Sequence, residues 1–66
     1  MKVKVKKEVA GNIMINGNGM EILKWFFREG KNQNFPESYL VGIMSKAIKS
    51  DHQNLVNVVY QNIELV

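Results

Sequence analysis

At 66 residues the chain has room for one domain, residues 1–66, whose stability is marginal without a disulfide, a metal, a partner subunit or an unusually well packed core. It has no Cys and a single His, His52, which excludes disulfides, thiolate metal sites and a clustered histidine site within one chain, while 45% hydrophobic residues exclude a disordered tail. The net charge of +3 sits entirely in the first eight residues, where Lys2, Lys4, Lys6 and Lys7 face only Glu8; the five remaining cations and five remaining carboxylates cancel.

No apolar run approaches the ~18–20 residues that span a bilayer. The opening Met1-Lys2-Val3-Lys4-Val5-Lys6-Lys7 alternates charge with valine instead of leading into the apolar stretch of a signal peptide. A cytoplasmic location is the expectation. Thr is absent while Asn, Lys and Ile are common, a codon bias that points to a low-GC bacterium or its phage.

Residues 2–9 alternate with period two, Val3, Val5 and Val9 on one side and Lys2, Lys4, Lys6 and Glu8 on the other, which predicts a half-buried strand. Ala10-Gly11-Asn12 has turn chemistry, and Ile13-Met14-Ile15 then completes an N-terminal hairpin. Asn18, with Glu21 three residues on, predicts a helix N-cap. The first helix is expected from Gly19 to Glu29, stopping at Gly30. The second starts near Pro36, capped by Asn34, with Glu37 in its first turn. Its stripe of Leu40, Ile43, Met44, Ala47 and Ile48 carries it to Lys49. Residues 55–66 fit two periods. Leu55, Val58, Val59, Ile63 and Val66 share a helical face, and Ser50 with Gln53 resembles a capping box. The β-branched content favours a strand, and a third strand would give the helices a sheet to cover. A strand here, beside the first, would set Glu64 near the lysines. The expected fold is α+β: a small antiparallel sheet, made of the N-terminal hairpin and a C-terminal strand, packed against two helices.

Candidate chemistry is sparse. Gly17-Asn18-Gly19 before a helix suggests an anion site, but the third glycine of a dinucleotide fingerprint falls on Ile22 and no Gly-Lys-Ser/Thr is present. An N-cap loop is the better reading. Asp51-His52 has no nucleophile arranged beside it, and adjacent residues diverge on helix or strand. No catalytic, cofactor-binding or metal-binding residues are assigned, and the chain is read as a non-enzyme.

Two surfaces remain. Lys2, Lys4, Lys6 and Lys7 could contact nucleic-acid phosphates, although edge strands carry lysine to block aggregation and no aromatic interleaves with them to stack on bases. Trp25, Phe26 and Phe27 fan over ~200° of a helix, wider than one small core covers, and Tyr39 and Tyr60 fall off the main stripes. These five are the candidate protein interface, since aromatic residues are enriched at interface cores. The resulting expectation is a protein-binding module acting as a homodimer, for instance a phage-encoded inhibitor that blocks the surface of a larger host protein in an anti-phage defence system. The alternative is a nucleic-acid-binding regulator that uses the basic strand.

Overall fold

The computed structural model describes residues 2–66. They form four helices and two short strands in the order β1 (Val3–Val5), α1 (Lys7–Asn16), α2 (Gly19–Asn32), α3 (Glu37–Ala47), α4 (His52–Gln61) and β2 (Ile63–Leu65). The strands pair in parallel, with Val3 opposite Ile63, Lys4 opposite Glu64 and Val5 opposite Leu65. The fold is therefore mostly helical, with a two-stranded parallel sheet, and not an antiparallel hairpin on two helices. Parallel strands cannot be joined by a tight turn. Here the first and last segments pair, and all four helices form the crossover between them.

β1 ends early. Its alternation buries Val3 and Val5 and exposes Lys4, but the chain turns helical at Lys7, so Ala10, Gly11 and Asn12 lie inside α1 and not in a turn. Ala10, Ile13 and Met14 meet the core at spacings of three and four residues. Burying that stripe overrides the poor helix propensity of Gly11, which costs about 1 kcal/mol relative to alanine. The outer edge of β1 is closed by a side chain. Lys4 N–H donates to Gln33 Oε1 at 2.9 Å, and Gln33 Nε2 donates to the Lys4 carbonyl at 2.7 Å. One amide group thus occupies the place of a third strand.

α2 starts as its sequence predicts. Glu21 N–H donates to Asn18 Oδ1 at 2.9 Å, and Asn18 N–H donates to Glu21 Oε1 at 2.8 Å, a reciprocal cap. It does not stop at Gly30. Gly30 is a buried helical residue with negative φ, and a Cβ there would lie 2.5 Å from Leu40 Cδ2. Its smallness lets α3 approach α2. The left-handed residue is Asn34, at φ 66°, so Asn34 turns the chain instead of capping α3.

α3 follows Pro36 and buries Leu40, Ile43 and Ala47. The segment expected as a strand then begins as helix α4. Asp51 caps it by accepting the Asn54 N–H at 3.0 Å, and the Asn54 amide donates to the Lys46 and Ala47 carbonyls at 3.1 Å each, tying α4 to the end of α3. Leu55 and Val59 are buried. That packing against α2 and α3 outweighs the strand preference of Val56, Val58 and Val59. Asn62 Nδ2 donates to the Val58 carbonyl at 2.8 Å as the helix ends, and only Ile63–Leu65 remains as strand.

α2 is the central helix, touching β1, α1, α3 and α4. Phe26, Ile22, Leu40, Val3 and Val59 are the largest fully buried side chains. No helix among the described residues is long and apolar enough to cross a membrane.

Candidate protein interface

The aromatic arc on α2 does not overflow the core. Trp25 is 5% exposed, Phe26 is fully buried and Phe27 packs against them half-buried. A helix with neighbours on four sides can hide an arc that one sheet could not, and so the surplus-aromatic reason for a dimer fails for these three residues. Tyr39 is partly exposed and stacks on Phe35, with ring centroids 5.8 Å apart and an interplanar angle of 27°. Tyr60 stands apart from both, on the outer side of α4.

Tyr60 belongs to a feature that the sequence reading missed. A groove of about 390 Å³ lies between α1 and α4, with Leu65 of β2 in its lining. Lys7, Ala10, Gly11, Met14 and Ile15 line it from α1, Val56 and Tyr60 from α4, and Leu65 from β2. The α1 positions are i, i+3, i+4, i+7 and i+8, a full helical stripe. Ala10 is buried, whereas Ile15 is 82% exposed and Tyr60 is 55% exposed. A Cβ built on Gly11 would touch nothing within 4 Å, so the floor of the groove is open there. The signal for this surface was present in the stripe itself. Treating Gly11-Asn12 as a turn broke the stripe in two and hid it.

Uncharged polar residues adjoin the lining residues along much of α1 and α4. No charged residue occurs from 9 to 20 or from 53 to 63. On α1, Asn16 Nδ2 donates to Asn12 Oδ1 at 2.7 Å; on α4, Gln53 Nε2 donates to Asn57 Oδ1 at 3.1 Å. Lys7 supplies the one charge in the lining. An apolar centre depleted of charge and rimmed by polar groups is the composition of a protein contact.

The lysines do not act as one open strand edge. Lys4 lies opposite Glu64 across the sheet, and Gln33 closes the backbone edge beside it. Lys2 and Lys6 are exposed, Lys6 precedes α1, and Lys7 lines the groove. Asn18 is committed to capping α2 and Asp51 to capping α4, while His52 is an exposed residue in the first turn of α4. Among the described residues no three His, Cys, Asp or Glu side chains cluster, and no polar side chain is buried. No family model, curated protein or solved structure matches the chain.

Proposed function

We propose that the chain is a non-enzymatic protein-binding module whose contact surface is the α1–α4 groove. The observation that carries this reading is the groove itself, an apolar recess of about 390 Å³ whose lining holds a single charged residue, Lys7. Exposing Ile15 and Tyr60 beside one recess is costly for a small domain unless another chain covers them. A recess of that volume accepts one or two large apolar side chains, the anchors around which protein contacts are built. The module works by occupying surface and requires no bond making or breaking.

Gly11 provides the test. Gly11→Leu fills the groove from within, and the open space above Gly11 accommodates the added side chain without strain. Gly42→Leu adds the same side chain on α3, where a Cβ also meets nothing. Affinity capture from a lysate of the encoding organism, with the three baits compared by quantitative mass spectrometry, should show a protein retained by wild type and Gly42→Leu and lost from Gly11→Leu. Identical capture by all three would refute the reading.

A further inference from the structure

Three features of helix α1 bear on what fills the groove. The first is the position of Gly11. The lining residues of α1 run from Lys7 to Ile15 with Gly11 at their midpoint. Gly11 has open space in front of it, so the backbone of another helix can approach closely there. The second is the placement of charge. α1 has Lys6 and Lys7 beside a single carboxylate, Glu8, at its start, no side-chain cap, and no basic residue in its last turn. Glu8 suits the helix dipole, which favours anions at the N-terminus and cations at the C-terminus, and the two lysines oppose it. The third is the far end of the helix. Gly17 N–H donates to the Ile13 carbonyl at 2.9 Å, while the carbonyls of Met14, Ile15 and Asn16 accept no backbone hydrogen bond among the described residues.

One arrangement answers all three. We infer that the groove is filled by a second copy of the chain, with two α1 helices crossing antiparallel about a twofold axis at Gly11. In that arrangement Lys7 of each copy lies opposite Ile15 of the other, about 12 Å along the helix from its own copy's Ile15 at 1.5 Å per residue. Each Lys7 then brings its ammonium to the open carbonyls ending the other α1, and the charge misplaced within one chain is well placed between two. Each Ile15, the most exposed large apolar side chain of the monomer, enters the other copy's groove. The uncharged stretches 9–20 and 53–63 meet without like-charge repulsion. The contact is isologous, as twofold homodimers require. It also supplies the stabilising partner that a chain of this size lacks.

This inference rests on the groove being a protein-binding surface, and its test separates the two. Sedimentation velocity over a concentration series should show wild type and Gly42→Leu as dimers in the micromolar range and Gly11→Leu as a folded monomer whose melting temperature, unlike that of wild type, does not rise with concentration. Lys7→Glu removes two symmetry-related contacts and should weaken the dimer roughly 3- to 30-fold. The same change should raise the stability of the isolated monomer, because a carboxylate suits the start of α1. Gly11→Cys, the only cysteine in that variant, should oxidise to a covalent dimer. A wild-type monomer up to millimolar chain concentration would overturn the inference, as would Gly11→Leu dimerising like wild type. Capture of a lysate protein that depends on Gly11, by a chain that sediments as a monomer, would overturn the second copy as occupant and leave the protein-binding reading intact.

Discussion

Two glycines inside helices should respond to the same substitution in opposite directions. Gly42 lies in the middle of α3, where an added Cβ would meet nothing within 4 Å, whereas a Cβ on Gly30 would lie 2.5 Å from Leu40 Cδ2 and 2.8 Å from Leu40 Cδ1. Neither has positive φ, so alanine strains neither backbone. Gly42→Ala gains about 1 kcal/mol of helix propensity, a rise of roughly 4–8 °C in melting temperature for a domain of this size. Gly30→Ala gains the same propensity but must displace Leu40, which is fully buried and closely surrounded. Overpacking of that kind costs ~1–3 kcal/mol, so the net change is between about zero and 2 kcal/mol of destabilisation. The two variants should differ by roughly 4–24 °C in thermal unfolding followed by circular dichroism. The size of that gap measures how tightly α2 and α3 approach. A Gly30→Ala protein that gains as much as Gly42→Ala would refute close packing of these helices at Gly30.

Other expected outcomes follow from single contacts. Asp51→Ala removes the cap of α4 and should cost about 1 kcal/mol in urea unfolding, with Asp51→Ser recovering most of it; equal stability of both variants with wild type would count against the cap. Gln33→Ala opens the edge of β1 by removing two hydrogen bonds and should cost roughly 1–2 kcal/mol. Gln33→Glu keeps the shape but sets a carboxylate against the Lys4 carbonyl, so it should not restore stability at neutral pH. Hydrogen exchange at the Lys4 amide reads this edge directly, and unchanged protection in Gln33→Ala would show that the side chain does not close it.

The parts of the fold that were legible are those where local chemistry and tertiary packing agree. Asn18 and Glu21 signal a cap and make one, and the Leu40, Ile43 and Ala47 stripe predicts a helix face and buries it. Residues 55–66 could not be resolved, because valines at 56, 58 and 59 favour a strand while Leu55 and Val59 suit a helix face. The choice depended on α2 and α3 being beside them, which is long-range information. The pairing of β1 with β2 joins opposite ends of the chain, so nothing near Val3 in sequence could reveal its partner. Gly30 misled for a related reason: its role is space for Leu40, ten residues away, and not a helix-ending conformation.

Helix α1 failed differently, and the failure is informative. α2 satisfies most local rules: a reciprocal cap, an acidic first turn, a basic last turn and an apolar stripe that buries Ile22, Trp25 and Phe26. α1 shares only the acidic first turn, through Glu8, and breaks the others. It has a glycine at its centre, lysines at its start, no basic residue at its end, no side-chain cap, and an isoleucine 82% exposed. Departures from local consistency concentrate where a sequence answers to something besides its own fold. If they were scattered along the chain they would only record marginal stability. They gather most densely on α1, although α3 also has a central glycine and no side-chain cap and α4 has no basic last turn, and α1 forms a wall of the groove. An antiparallel copy converts four of them at once: the glycine permits the close crossing, the lysines meet carbonyl ends, the missing basic residue is supplied from the other chain, and the isoleucine is covered. The features that made α1 unreadable as part of a monomer are the ones that a twofold partner would make consistent.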